Sequence, residues 1–499
     1  MRRPQPRLFK GFRDVFAADI FAKQRIVDVV RTVYERYGFL PLETPSIEFV
    51  DVLGKFLPES NTPEGGIFAF RNPELGPNVP ADDPNAWLAL RYDLTASLAR
   101  VVAAYAELKR PFRRYQLGYA WRMEKPGPGR FREFLQFDFD SVGVSGMAAD
   151  AEACCVICDA FAALGFARGD YVVKVNNRKI IQGVLEHCGF TELDITAADS
   201  RAGTVVRAMD KLERLGMDGV RELLGTGRRD ATSDFTAGAN LDAAQIERIE
   251  EYLSAQVTSR AGFCDSVAKL VAGSLLGEEG VAELRQNDEL LSALGYSEER
   301  VVFDPSIIRG MSYYTGPVYE GVLTREIVDE DGQVKQFGSV FGGGRYDNLV
   351  ERFTGQKVPA TGASVGVDRL AEAAKLLPQS RAARGCTADV LVTVMDKQRL
   401  ADYFAMAQAL RAAGINTELF LGSGGIGAQM KYADKLGIPL ALIAGGDEFA
   451  AGVWQVKDLR LGRELSAQVE SREEWRKGQP AQQSVPAGEV IEKIKASLQ

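Results

Sequence analysis

The sequence predicts an α+β architecture: an antiparallel sheet flanked by helices, interrupted by a mainly helical insertion and followed by a small α/β domain. Three patterns predict it. Residues 114–140 alternate with a period of two on either side of a glycine- and proline-rich loop, as a long hairpin does. Residues 176–304 lose that alternation and turn mostly helical. Beyond residue 387, short apolar runs alternate with helical ones, the order of a unit with parallel strands. At 499 residues the chain exceeds one core, and roughly three domains are expected. The boundaries are drawn at 1–175 and 305–378 for the two parts of the sheet domain, 176–304 for the insertion, and 387–499 for the terminal domain and tail.

The first helix is expected over 19–37, where Ile26, Val30, Val33 and Tyr37 recur at helical spacing and Gly38 ends the pattern. Residues 39–45 read as extended, because Pro41 and Pro45 oppose helix. Residues 58–85, rich in Pro, Gly, Asn and Asp, read as loop, and 95–108 as helix. In the hairpin, Tyr115, Leu117, Tyr119, Trp121 and Met123 share one face. Arg114, Gln116, Gly118, Ala120, Arg122 and Glu124 share the other. On the returning strand, Leu135, Phe137 and Phe139 oppose Gln136, Asp138 and Asp140. The joining Lys125-Pro126-Gly127-Pro128-Gly129-Arg130 is too long for a tight turn. Extended segments return at 301–322 and 337–346, a helix begins near Val367, and 378–387 reads as a linker. The last domain is expected as strand 389–394, helix 399–413, strand 417–421, helix 428–436 and strand 440–444, with a weakly patterned tail.

Apolar residues make up 46% and charged residues 26% of the chain, ordinary values for a globular protein. With 60 basic and 68 acidic residues, the net charge of -8 does not advertise a nucleic-acid binder, although local patches decide that. No apolar segment follows the basic start, so no secretory signal is read, and no membrane span is expected. The six cysteines show no metal spacing; Cys154, Cys155 and Cys158 lie in an apolar stretch that reads as helix, where buried thiols are expected. This pattern is cytoplasmic. A single histidine, His187, excludes histidine-based zinc sites, Ser-His-Asp triads and the kinase His-Arg-Asp loop.

Four segments carry chemistry. On the polar face of the hairpin, Gly118 and Ala120 leave room for a ligand beside Arg122, Glu124, Gln136 and Asp140. An arginine there suits a phosphate, because its planar fork binds two oxygens at once. A solvated sheet face would show the same pattern. Arg309-Gly310-Met311-Ser312-Tyr313-Tyr314-Thr315-Gly316 gathers hydroxyls and a cation between glycines, as an edge strand with a turn would too. Phe341-Gly342-Gly343-Gly344-Arg345-Tyr346-Asp347 is no P-loop, since no Gly-Lys-Ser/Thr follows, but it lets a substrate approach backbone. Residues 362–370 place Arg369 at a helix start, a phosphate site in outline.

In this order the segments resemble the class II aminoacyl-tRNA synthetases and, within them, the histidyl-tRNA synthetase family. Gly11-Phe12-Arg13-Asp14 resembles that family's start, 38–48 with Pro45 its motif 1, 114–143 its motif 2, and 362–370 its motif 3. Residues 309–314 and 343–347 resemble segments specific to the histidine enzymes, and the resemblance runs from about residue 8 to 465. It implies a class II synthetase catalytic domain, a helical insertion and a C-terminal α/β anticodon-binding domain. It also implies ATP-dependent ligation of L-histidine to tRNA(His) through a histidyl-adenylate, with ATP and Mg²⁺ as cofactors and a homodimer formed through motif 1. Arg122 and Arg369 would hold the α- and γ-phosphates, Glu124 the adenine side, and Arg130 the phosphates. Asp93, Thr95 and Gln136 would bind the histidine amino group, and Asp140 and Tyr314 the two imidazole nitrogens. Tyr313 and Tyr346 would line the pocket, and Arg309 would bridge the histidine carboxylate and the α-phosphate. Arg309, Arg122 and Arg369 would be the catalytic cations, with no protein metal ligand assigned. The single histidine also excludes the paired histidines of class I synthetases.

The chain departs from the family pattern twice. The hairpin loop of the family usually reads Arg-Pro-Gln before its Gly-Arg; here it is Lys125-Pro126-Gly127-Pro128. The usual glutamine helps read the extra 5′ guanosine of histidine tRNA, so weak dependence on that nucleotide is expected. Ser312 replaces the usual aspartate of the Arg-Gly-x-Asp-Tyr-Tyr segment. Two rival readings remain. The regulatory subunit of ATP phosphoribosyltransferase shares the core, but lacks the C-terminal domain and often the ATP-binding arginines, which this chain keeps. Gly422-Ser423-Gly424-Gly425-Ile426-Gly427 matches G-x-G-x-x-G after a strand and before a helix, so a dinucleotide-binding module is a local rival.

Overall fold

Alternation over the hairpin yields two ten-residue strands, Phe112–Trp121 and Glu133–Val142, paired antiparallel from Phe112↔Val142 to Trp121↔Glu133. The computed structural model describes residues 3–53, 66–76, 78–127, 129–191, 194, 200–229, 235–255, 259–308, 313–325, 327–328, 334–335, 338–375, 385–466 and 481–498. The chain divides into two compact units. Met1–Asp14 with Lys23–Ser380 form one, and Val15–Ala22 with Arg381–Gln499 the other.

The first unit is organised by an eight-stranded sheet. Its order is Leu40–Pro41, Phe112–Trp121, Glu133–Val142, Ala360–Gly366, Ser339–Arg345, Pro317–Leu323, Tyr171–Asn177 and Val301–Phe303. The six inner strands pair antiparallel, and each short edge strand pairs parallel to its neighbour. Successive residues of Glu133–Val142 point to opposite sides, and the two sides have different fates. Phe137 and Phe139 pack on Val30, Val33 and Tyr34 of the helix Ala17–Arg36, within the core that also holds the helix Ala148–Ala163. Tyr34 donates its hydroxyl to the Phe137 carbonyl at 3.1 Å. Cys154, Cys155 and Cys158 are free and buried there, as the apolar run implies. Gln136, Asp138 and Asp140 point the other way.

On the partner strand the polar side is the buried one. Arg114, Gln116 and Ala120 are buried, whereas Leu117 is 36% and Tyr119 43% exposed. The polar side is therefore not a solvated face; it is covered by the rest of the unit. Elsewhere the helix expected to reach residue 108 stops at Ala104. The loop expected over 58–85 contains a strand, Ala69–Arg71, in a three-stranded sheet with Ile47–Phe49 and Trp87–Leu90. Among the described residues, six helices between Arg178 and Ala293 make the helical region, with one small strand pair at Gly227–Arg229 and Phe235–Ala237. These helices belong to the first unit.

In the second unit, Val390–Val392 lies between Thr417–Leu419 and Leu440–Ile443, both parallel to it, with helices Leu400–Ala412 and Ile426–Leu436 between them in sequence. The tail is more ordered than its pattern suggested. Val453–Asp458 and Gln482–Pro486 extend the sheet antiparallel, and Val490–Leu498 is helical. Residues 378–384 of the expected linker lie outside the described residues.

Candidate active site

The covered face of the central sheet opens into a cavity of about 1370 Å³. Gln136, Asp138 and Asp140 line it side by side, each flanked in register by residues of the two neighbouring strands. Gly118 and Gly366 flank Gln136, Gln116 and Ser364 flank Asp138, and Arg114 and Gly362 flank Asp140. A Cβ at Gly362 would lie 2.3 Å from Asp140 Oδ1 and from the Phe139 carbonyl, and one at Gly344 would lie 2.9 Å from the Tyr314 ring. Glycine at these positions lets the acidic and aromatic side chains sit directly on the sheet.

One end of the cavity is acidic. Asp140 Oδ2 pairs with Arg114 Nη2 at 2.8 Å, and its other oxygen accepts the Tyr346 hydroxyl. Arg114 also donates to the Leu94 carbonyl. Asp93 Oδ1 accepts the Ala96 N–H at 2.9 Å in the first turn of the helix Thr95–Ala104. Its Oδ2 accepts the Tyr313 hydroxyl at 3.3 Å. Gln136 Nε2 donates to Ser364 Oγ at 2.8 Å. Tyr313 packs edge-on against Tyr314 and Tyr346. Burial raises Asp93 and Asp140 above the usual carboxylate range. It pushes Asp138 up to about 7, with Arg114 pulling it down and Asp140 and Asp93 adding to the rise.

The other end is cationic. Arg122 rests 4.3 Å over the Tyr92 ring and 5.1 Å over Phe134, and its Nε donates to the Tyr92 carbonyl. Both terminal nitrogens of Arg122 lack hydrogen-bond partners among the described residues. Such stacking holds a guanidinium in place while its fork stays available. Arg369, in the first turn of Val367–Lys375, donates to the Ser339 carbonyl at 2.5 Å. The hairpin loop reaches it: Gly129, at a positive φ that favours glycine, sits with its Cβ position 3.7 Å from Arg369 Cγ. Within that loop Gly127 and Arg130 exchange both backbone hydrogen bonds, and Arg130 is exposed. Glu124 accepts from the Tyr92 hydroxyl at 3.3 Å. The neighbouring Asp368 is tied to Arg13, Lys23 and the Leu135 N–H, fixing the helix start against the sheet.

Thus Asp93, Thr95, Arg122, Glu124, Arg130, Gln136, Asp140, Tyr313, Tyr314, Tyr346 and Arg369 all line one cavity. Arg309 and Ser312 lie outside the described residues. Arg345, inside the glycine-rich segment, does not line it; its guanidinium is buried against Asp150. Sequence reasoning gave no role to three residues that matter here: Arg114, Asp138 and Asp368. Their signal was positional, since Arg114 and Asp138 share the hairpin face already singled out. Arg178 and Lys179 of the helical region also line the cavity, which no pattern in their own helix announced. His187 does not.

Comparison with known proteins agrees with this geometry. Residues 11–370 match the family described as histidyl-tRNA synthetase, and residues 389–497 match an anticodon binding domain. The second match includes the G-x-G-x-x-G segment and counts against the dinucleotide reading. The chain is 49% identical to the histidine–tRNA ligase of Dinoroseobacter shibae, covering 99% of this chain and 98% of that one. It is also 49% identical to that of Rhizobium meliloti, with 99% and 95% covered. Among solved structures, the histidyl-tRNA synthetase of Nostoc sp. PCC 7120 superimposes with a TM-score of 0.71 at 27% identity, covering 99% of this chain and all of that one. A structure described as an ATP phosphoribosyltransferase regulatory subunit/histidyl-tRNA synthetase, from Bacillus halodurans, shares the fold at a TM-score of 0.63 and 23% identity. With motif, cavity and family match in agreement, the chain belongs to the histidyl-tRNA synthetase family.

Proposed function

We propose that the chain joins L-histidine to tRNA(His), consuming ATP through a histidyl-adenylate and releasing pyrophosphate and then AMP. The observation that carries this reading is one cavity with an acidic, aromatic end and an arginine end. The likeness to histidine–tRNA ligases over nearly their full length, anticodon binding domain included, favours it over a regulatory subunit.

The arginine end suits the triphosphate. Arg122 and Arg369 take the α- and γ-phosphates, Arg130 of the loop closes over them, and Glu124 meets the adenine side. ATP arrives with Mg²⁺, which spreads the phosphate charge; no protein ligand is assigned to it. At the acidic end, Asp93, Thr95 and Gln136 take the ammonium group. Asp140 and Tyr314 meet the ring, with Tyr313 and Tyr346 as walls. Both ring nitrogens need partners once buried, and a site built around them can reject analogues lacking them by roughly 10⁴-fold. The carboxylate then attacks the α-phosphorus in line and pyrophosphate leaves. Positioning and charge neutralisation by Arg122, and by Arg309 on the family pattern, supply the catalysis. In the second step the terminal ribose hydroxyl attacks the acyl carbon and AMP leaves. The single histidine is not in the cavity, and a phosphate oxygen of the adenylate takes the proton.

The protein functions as a homodimer through motif 1. Exposed apolar side chains at Leu40, Ile47 and Phe49 support this, as does the outward face bearing Leu117 and Tyr119. A cytoplasmic location is supported by unpaired cysteines; among the described residues no helix is long and apolar enough to cross a membrane. The deciding experiment is ATP–pyrophosphate exchange across the twenty amino acids, followed by charging of bulk tRNA. Histidine alone should drive exchange, and a lack of response to histidine would end the proposal.

A further inference from the structure

Gly11-Phe12-Arg13-Asp14 does not line the cavity, yet it touches both elements that bring arginines to the cationic end. The first element is the hairpin loop carrying Arg130. The Gly11 carbonyl accepts the Arg132 N–H at 2.9 Å, and the Lys10 carbonyl accepts Arg132 Nη1 at 3.1 Å. A Cβ at Gly11 would lie 2.8 Å from Arg132 Cγ and 2.9 Å from Pro126 Cγ, so glycine lets the segment lie against both ends of the loop. The Arg132 carbonyl in turn accepts the Arg122 N–H at 2.9 Å. The second element is the helix Val367–Lys375, which carries Arg369.

Arg13 spans the two. Its guanidinium lies 3.8 Å from the centroid of the Phe131 ring, and Phe131 follows Arg130 in sequence. Its Nη2 pairs with Asp368 and its Nη1 with Glu372, each at 3.0 Å. Phe131 and Asp368 line the cavity, each beside an arginine that lines it too. Arginine suits the position, because its flat face stacks on the ring while both arms of its fork pair with acids. Charge balance alone does not require it: Lys23 also pairs with Asp368, at 2.5 Å. What Arg13 adds is a planar link between the loop and the helix start.

We propose that Arg13 is a positioning residue for ATP: it latches the hairpin loop to the helix Val367–Lys375, so that Arg130 and Arg369 meet one triphosphate. The proposal rests on the reading of the arginine end as the triphosphate site. Without the latch the loop and the helix keep their own folds but lose their fixed separation. Small misplacements of this kind weaken binding and slow the step that needs both cations.

The test is pyrophosphate exchange by the unchanged protein, Arg13→Ala and Arg13→Lys, with ATP and histidine varied separately. Arg13→Ala should raise the KM for ATP about tenfold and leave the KM for histidine within about twofold. Its melting temperature should change little, because side chains 25% and 26% exposed at Arg13 and Glu372 make a partly screened pair. A merely structural role would reduce the folded fraction, lowering kcat while both KM values stay. Arg13→Lys keeps a charge beside Asp368 but neither the flat stack nor the fork, and should recover only part of the loss. Phe131→Leu should also raise the KM for ATP, and combined with Arg13→Ala it should add little, since both break one link. An unchanged KM for ATP in Arg13→Ala, an equal rise in both KM values, or full recovery in Arg13→Lys would overturn the latch. If the unchanged protein shows no histidine-dependent exchange, the parent reading fails. Calorimetric titration of the same proteins with ATP then decides on Arg13: equal dissociation constants overturn it, and about tenfold weaker binding by Arg13→Ala supports it.

Discussion

Arg114 and Asp140 form an ion pair at 2.8 Å with side chains 0% and 3% exposed, at the closed end of the cavity. Removing either partner strands the other charge out of water, a change costing about 3–5 kcal/mol. Asp140→Ala should lower the urea midpoint accordingly and weaken histidine binding. Replacing both, as Arg114→Met with Asp140→Leu, should recover much of the stability, because apolar substitutes for a buried pair are often neutral. Histidine KM should not recover. Urea unfolding and exchange kinetics on the same three proteins would check this, and a double variant no more stable than Asp140→Ala would contradict it.

Arg122 presents its fork to the cavity while contributing little to packing. Arg122→Ala should reduce kcat for pyrophosphate exchange by about 10²-fold or more, the scale seen when one charge-stabilising donor is removed. Its melting temperature should change little, since one carbonyl bond and a cation–π contact are lost. Arg122→Lys should restore little, because an ammonium cannot reproduce the planar fork.

The buried carboxylate of Asp138 makes stability depend on pH in a defined direction. Its folded pKa of about 7 lies above the ordinary value of 3.8. Between those values the folded state binds more protons than the unfolded one, so stability falls as pH rises through that window. The contribution is fully present below about pH 4 and lost above 7. The ligand-free protein should therefore lose more stability between pH 5 and pH 8 than Asp138→Asn does. Chemical denaturation of both at the two pH values is the measurement; parallel losses would show that Asp138 does not titrate there.

Gly127 carries no side chain toward RNA, and a Cβ there would meet nothing within 4 Å. Transcripts of tRNA(His) with and without the extra 5′ guanosine should be charged with similar kcat/KM, within a few-fold. Gly127→Gln, whose Cβ would meet nothing within 4 Å, provides the matching gain-of-contact variant. A loss of 100-fold or more on omitting the guanosine would refute the expectation.

The hairpin, its loop and the helix at Val367 could be read from periodicity, because each obeys a local rule. Which hairpin face became the interior could not. Tyr115, Leu117 and Tyr119 look like a core stripe, yet only Tyr115 is buried. The outcome depends on strands near residues 320, 340 and 363, which lay a glycine-rich surface beside the polar face from far along the chain. Asp138 was visible on that face, but its burial is a tertiary fact. Likewise the strand Ala69–Arg71 is set by pairing with Trp87–Leu90, not by its own composition. Val453–Asp458 joins its sheet by pairing with Leu440–Ile443, equally invisible locally.

The glycines under the cavity bear on redesign. Where the pocket is bounded by bare backbone, at Gly362 and Gly366, no side chain can be trimmed, so that part of the boundary cannot retreat to admit a bulkier amino acid. Enlargement must come from the aromatic walls, Tyr313, Tyr314 or Tyr346, and each of those cuts also removes or disturbs a hydroxyl that anchors an acid or faces the ring. Spaciousness and discrimination are thus coupled in this protein, and libraries aimed at unnatural histidine analogues should vary the acids and tyrosines together.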